Sequence, residues 1–299
     1  MGRYATPLIT ALPLPPVENG VEVLICEARL AHQATDDPHD IEEEQFMTVL
    51  VSFNPSPSQR YAARNLAGTY IAAQSRFEQL PDGCGLAEWL RGLLNSRVSA
   101  SLYVVLSLPP VYTDATARQI EGVLIGLRNS QYHQLGLAIA VSQTPEDWGN
   151  CGGIDGFVSA DEVDSGWEAL HVFHMLAALM APGLSSCVDW EELRSIFGTD
   201  EFPSKVASGV WMEAQATFIW ATADDQELVK NSKVIVSMPS RCLQLASQQK
   251  LMEAICKSTL EDSAFLMIAP YGMSSESFLA DQIVPVFLIA APHKKTFDS

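Results

Sequence analysis

Positive charge is what this chain has least of. It sets 18 Lys and Arg against 36 Asp and Glu, a formal charge of −18 with a pI near 4.6. Phosphate backbones and anionic lipid surfaces are held by clustered cations, so nucleic acid is excluded as a partner, and docking on a membrane with it. Charge of either sign is scarce, 18% of residues where about a quarter is usual, so Ser, Gln, Asn and Thr carry much of the surface. Paired cysteines are missing too. Cys26, Cys84, Cys151, Cys187, Cys242 and Cys256 stand far apart with no C-x-x-C, which excludes a disulfide framework or zinc module and implies buried thiols in a reducing compartment. There is no long apolar run. The most apolar stretch, Ala169 to Ala181, is interrupted by His171 and His174 and is too short to span a bilayer. Met1 to Pro16 has one Arg and scattered Pro, which is not a signal peptide. A soluble, cytoplasmic protein is expected.

What is present suffices for two packed units: 299 residues, 47% of them hydrophobic. A Pro-rich arm (1–20) precedes a strand at Val21–Cys26; Thr35 to Gln45 is acidic and reads as a solvated loop or short helix. A second strand, Met47–Phe53, ends at Asn54-Pro55-Ser56-Pro57, with helical character from about Ser58. Leu86, Trp89, Leu90 and Leu93 predict an amphipathic helix over Gly85–Leu94, and Ile120, Val123, Leu124 and Leu127 another over Asp114–Leu127. Strands are expected at Leu102–Leu108, Leu137–Val141 and Gly156–Val158. Short apolar strands alternating with helices predict an α/β fold with a parallel sheet covered on both faces.

Ser165 and Glu168 then form an S-x-x-E capping box behind Asp164. Beyond it Trp167, Leu170, Val172, Phe173, Met175, Leu176 and Leu179 point all round, so this helix is buried between two layers and ends at Pro182-Gly183. A smaller α+β unit follows, with strands at Ala216–Ala221, Lys233–Met238, Ala264–Ile268 and Ile283–Ala290 and a helix near Ser247–Leu260. The boundaries read are 21–164, 165–198 and 199–292, with a tail at 293–299.

The stretch Ala181-Pro-Gly-Leu-Ser-Ser-Cys-Val-Asp-Trp-Glu-Glu-Leu-Arg-Ser-Ile-Phe197 resembles the FtsZ segment after the central helix: a Pro-Gly-Leu turn, an Asn-x-Asp-x-x-Asp loop and a Val/Leu-Arg pair. Pro182, Gly183 and Leu184 match. Asp189 falls on the first aspartate, Trp190 on the Phe after it, Glu192 on the second acidic position and Leu193-Arg194 on the final pair; Cys187 replaces the Asn, and Ser185-Ser186 is one residue longer. Ile154 to Asp161 is similar to the strand and loop before the central helix. The resemblance to the FtsZ/tubulin superfamily runs from about residue 100 to the end. It implies a parallel-sheet N-terminal domain, a central buried helix and a smaller C-terminal domain.

It also implies loops that this chain lacks. FtsZ and tubulin hold GTP phosphates on a Gly-rich loop at a helix N-terminus, where missing side chains let backbone N–H groups approach. Here that place is Ser107-Leu-Pro-Pro-Val-Tyr-Thr-Asp-Ala-Thr116: no glycine, two prolines without N–H, and Asp114 adding like charge. The first family loop is expected at Glu27–His32, again without glycine, and the guanine-reading position falls on Ser165-Gly166. No GTP cofactor and no GTPase activity are therefore expected.

The resemblance gives Asp189 and Glu192 to the acidic loop that acts on a neighbouring subunit's nucleotide, and Asp189, Trp190, Glu192 and Arg194 to an interface with an FtsZ-like filament subunit or a second copy. The plainer reading has the two carboxylates merely starting a helix. An aberrant GTPase forming its own filaments is the alternative. A metal enzyme using His171 and His174 is a third reading; with no HExxH glutamate, packed core histidines fit that spacing better. Asn150 to Gly156 is glycine-rich but precedes a strand, which marks a turn rather than a phosphate cradle.

Overall fold

The computed structural model describes residues 21–33, 41–53, 75–79, 85–95, 100–129, 133–160, 165–179, 190–230, 232–239, 245–259, 264–271 and 283–291. The strands are β1 (Glu22–Gln33), β2 (Ile41–Ser52), β3 (Ser75–Gln79), β4 (Ala100–Ser107), β5 (His133–Ser142), β6 (Gly156–Ser159), β7 (Ser204–Met212), β8 (Thr217–Trp220), β9 (Lys233–Pro239), β10 (Ala264–Tyr271) and β11 (Ile283–Ala291). The helices are α1 (Leu86–Asn95), α2 (Asp114–Arg128), α3 (Ser165–Leu179), α4 (Trp190–Ile196), α5 (Ala223–Val229) and α6 (Leu245–Thr259). One sheet runs in the order β10-β9-β11-β7-β6-β5-β4-β2-β1-β3, with β8 paired to β7 beside it.

β2, β4, β5 and β6 are parallel, and their near-continuous Val, Ile, Leu and Ala suit strands covered on both faces. On one face α1 and α2 pack Leu86, Leu90, Ile120, Val123, Leu124 and Leu127 against Val49, Leu102, Val104, Leu106 and Ala138. On the other lies α3. Ala169, Leu170, Val172, Phe173, Met175, Leu176 and Ala177 are all buried, so this helix is apolar all round, as its sequence predicts. It packs against β1, β2, β4 and β5 and also against β10, and its cluster includes Ile235 of β9 and Ile289 of β11. A third cluster joins β7, β9 and β11 to α5 and α6 through Trp211, Val229, Leu251 and Leu288.

The strand expected to stop at Cys26 runs on to Gln33, and its partner begins at Ile41, not Met47. Glu27–His32 is therefore ribbon rather than a loop after the first strand, and Ile41–Gln45 is strand rather than solvated loop or helix. The pairing is antiparallel, with His32 opposite Glu42 and Leu30 opposite Glu44. Among the described residues no third strand flanks this ribbon, so backbone pairing sustains it without the apolar alternation by which strands are read. Helical character from Ser58 lies outside the described residues. β3, antiparallel to β1, β7 and α5 were not legible.

Glycine separates two kinds of position. A Cβ on Gly122, inside α2, meets nothing within 4 Å, whereas on Gly156 it would sit 2.5 Å from Phe197 Cβ and 3.4 Å from its backbone carbon. Gly122→Ala is expected to raise unfolding free energy by about 0.5–1 kcal/mol, and Gly156→Ala to lower it by roughly 1–3 kcal/mol. Urea midpoints moving in the same direction for both variants would contradict these two packings.

Candidate functional site

In open α/β sheets ligands bind beyond the carboxyl ends of the parallel strands. Here those ends are Ser52, Ser107, Ser142 and Ser159. The connection from β4 to α2 keeps sheet geometry for one more residue: Phe53 N–H donates to the Ser107 carbonyl (3.0 Å) and Leu108 N–H to the Val141 carbonyl (2.9 Å). Pro109 and Pro110 follow, with no donors.

The N-terminus of α2 is then closed by its own residues. Thr113 is the cap, in extended backbone, and its hydroxyl accepts Thr116 N–H at 3.2 Å. The two threonine hydroxyls lie 2.8 Å apart. Asp114 puts a carboxylate in the first turn, where it complements the helix dipole. Desolvation raises the Tyr112 phenol above its ordinary pKa, and the charge and hydrogen bond of Asp114 raise it further. A side-chain oxygen and a carboxylate thus occupy the position that would receive an anion.

The loop after β5 fills the adjoining space. A short 3-10 turn, Pro145–Trp148, places Trp148 in complete burial, edge-on to Tyr112 with ring centroids 4.9 Å apart and planes at 67°. From there the chain follows α2 to β6. Gly152 N–H donates to Glu121 Oε1 (2.8 Å) and Arg128 donates to the Gly153 carbonyl (2.8 Å). Asp155 Oδ2 accepts Ala138 N–H at 2.8 Å, with Arg128 3.2 Å away. Gly153, at φ +95°, takes the conformation that glycine alone adopts freely. The Asn150–Gly156 run is a turn, in agreement with its sequence.

The interface residues expected from the resemblance are only partly described. Asp189 lies outside the described residues; Trp190 and Glu192 stand in the first turn of α4. Arg194 is exposed and donates to the Gly136 carbonyl at 2.8 Å, tying α4 to β5. His171 stacks on Phe287 of β11, centroids 3.7 Å apart and planes at 27°. Among the described residues no three His, Cys, Asp or Glu side chains are grouped to hold a metal, and no helix is long and apolar enough to cross a membrane. Sequence reasoning missed Thr113 and Trp148. A Thr-Asp pair opening an amphipathic run is a recognisable cap signal, whereas nothing local marks Trp148 as a fully buried ring packed on Tyr112.

No family model matches the chain, and no curated protein matches it. Solved structures do, in fold. They include CetZ2 from Haloferax volcanii in a GTPγS-bound protofilament (TM-score 0.34, 9% identity, 68% of this chain and 69% of that one). GDP-form protofilaments of TubZ from Bacillus thuringiensis serovar israelensis match with a TM-score of 0.25 and 12% identity over 70% of this chain and 57% of that one. CetZ from Methanosaeta thermophila matches with a TM-score of 0.27 and 10% identity over 69% and 55%. All belong to the tubulin/FtsZ superfamily, and the mixed α/β architecture agrees with the fold expected from sequence. The chain spans little more than half the length of the TubZ and Methanosaeta proteins. Matches at this level fix no residue correspondence, so the site rests on its own geometry.

Cys151, buried beside Ala117, gives this region a titration. Desolvation, then Glu121, pushes its thiol up to about 11 from 9.0. The folded chain disfavours the thiolate, so the stability Cys151 contributes is whole below pH 9 and lost as pH rises towards 11. Unfolding free energy of the wild type should fall more steeply over that range than that of Cys151→Ala. Iodoacetamide at neutral pH should label the exposed Cys256 before Cys151; equal labelling, or parallel pH profiles, would contradict the assignment.

Proposed function

We propose that this chain is an FtsZ/tubulin-like protein that neither binds nor hydrolyses GTP, and that it acts in a cytoskeletal or cell-division setting by docking on a filament or associating with itself. The turn from β4 into α2 carries the reading. A triphosphate needs a concave run of free backbone N–H groups at a helix N-terminus. At this turn Pro109 and Pro110 have none, the Thr113 hydroxyl takes the Thr116 N–H, and Asp114 repels further negative charge. Tyr112 and Trp148 pack together beside the same turn. The segment from Pro182 to Phe197 supports the choice of superfamily, and Asp189, Trp190, Glu192 and Arg194 are the proposed docking residues. In this reading 21–164 is a degenerate nucleotide-binding unit, 165–198 the linking helix and acidic loop, and 199–292 the C-terminal unit.

Titration calorimetry with GTP and with GDP tests the nucleotide half of the proposal. No binding is expected, meaning a Kd of roughly 1 mM or weaker, and no phosphate release. A micromolar Kd would return the chain to the working GTPases. Co-sedimentation with FtsZ polymers tests the docking half, and Asp189→Ala should cut the pelleted fraction several-fold; pelleting that ignores the substitution would place the docking face elsewhere.

A further inference from the structure

Among the described residues the sheet edges give no docking site. β3 carries Arg76 and Glu78, β8 is four residues long, and β10 breaks register between Phe265 and Met267 and contains Pro270. Each device blunts strand addition. The turn from α4 to β7 is different. It holds Phe202 out in water, 52% exposed, on a fixed backbone. Phe202 N–H donates to Thr199 Oγ1 (3.2 Å), and Gly198 N–H donates to Ser204 Oγ (2.8 Å). The Ser204 hydroxyl donates onward to the Ile196 carbonyl, and Phe157 N–H of β6 donates to the Gly198 carbonyl (2.8 Å). A Cβ on Gly198 would collide with the Phe202 carbonyl. This ring is presented by a closed turn, so little further ordering is needed when a partner covers it.

A second turn lies against the first. The Asp200 carboxylate rests on Gly149, where any Cβ would strike it, which brings the Pro145–Trp148 turn alongside. Glu146, Asp147 and Glu201 are exposed, and among the described residues none of them is in an ion pair. Glu201 next to Phe202, and Glu146 and Asp147 on the adjoining turn, are therefore exposed carboxylates without an ion pair among the described residues. An aromatic anchor with a charged rim is the pattern of a docking surface, and the rim fixes the sign of what docks. A second copy, itself at −18, is repelled from such a rim.

We infer that Phe202, with Glu146, Asp147 and Glu201, is a docking surface for a basic partner protein that covers the ring with apolar side chains and meets the rim with Lys or Arg. The surface borders the β4–α2 turn through the Pro145–Trp148 turn, but none of its four residues caps α2. The test uses two probes on the full chain: a short peptide alternating arginine with leucine, and its arginine–serine counterpart of equal charge. Calorimetry should give the leucine peptide about tenfold tighter binding. Phe202→Ser should close that gap, and Phe202→Tyr should keep it. Glu146→Gln with Asp147→Asn and Glu201→Gln should weaken both peptides and flatten their salt dependence. A gap that survives Phe202→Ser, no gap in the wild type, or a dimer in sedimentation that Phe202→Ser dissolves would each overturn the inference.

Discussion

The architecture depends on covering α3. Every described side chain from Ala169 to Ala177 except His171 is buried, and His171 is stacked on Phe287. A helix with no polar face cannot rest on a single surface sheet; it needs apolar partners on opposite sides. The parallel strands supply one side, and β9, β10 and β11 the other. The two sets of strands join where β6 meets β7 over Val158–Ser204 and Ser159–Lys205. Ser204 is fully buried there and binds both the end of α4 and Gly198. That junction places the α4–β7 turn, and with it Phe202, beside the turn that carries Trp148.

A turn at the end of the sheet can vary without disturbing such a core. A triphosphate cradle sits at a sheet end, outside the packed faces, and its donors are backbone groups that any local replacement can satisfy. At the β4–α2 turn a threonine caps the helix, an aspartate stands in its first turn and two prolines lie upstream. Trp148 and Tyr112 add packing, and burying a ring of that size stabilises by about 2–3 kcal/mol. Beside this turn, at the carboxyl end of the sheet, the two rings pack edge to face.

Periodicity made most of the described helices legible, because α1, α2, α3 and α6 each have an apolar pattern at helical spacing. The parallel strands were legible as short apolar runs. β1 and β2 were misread at their outer ends because Glu42, Glu43 and Glu44 lie on a ribbon held by backbone pairing, where side-chain pattern carries no signal. β7 was missed because Lys205, Ser208 and Gly209 interrupt its alternation, and Gly209 is there to admit the Phe218 ring. At the site, the absence of glycine between Ser107 and Thr116 is plain in the sequence. The packing of Trp148 on Tyr112 is not, since it joins residues far apart in the chain.

The central claim is that the backbone between Leu108 and Thr116 cannot receive a phosphate chain. A crystal structure grown with a non-hydrolysable GTP analogue tests it most directly. The account predicts no nucleotide density above the carboxyl ends of β4 and β5, with Thr113 still capping α2 and Trp148 still packed on Tyr112. A guanine nucleotide seated there, with its phosphates on the α2 N-terminus and the Thr113 cap broken, would contradict it.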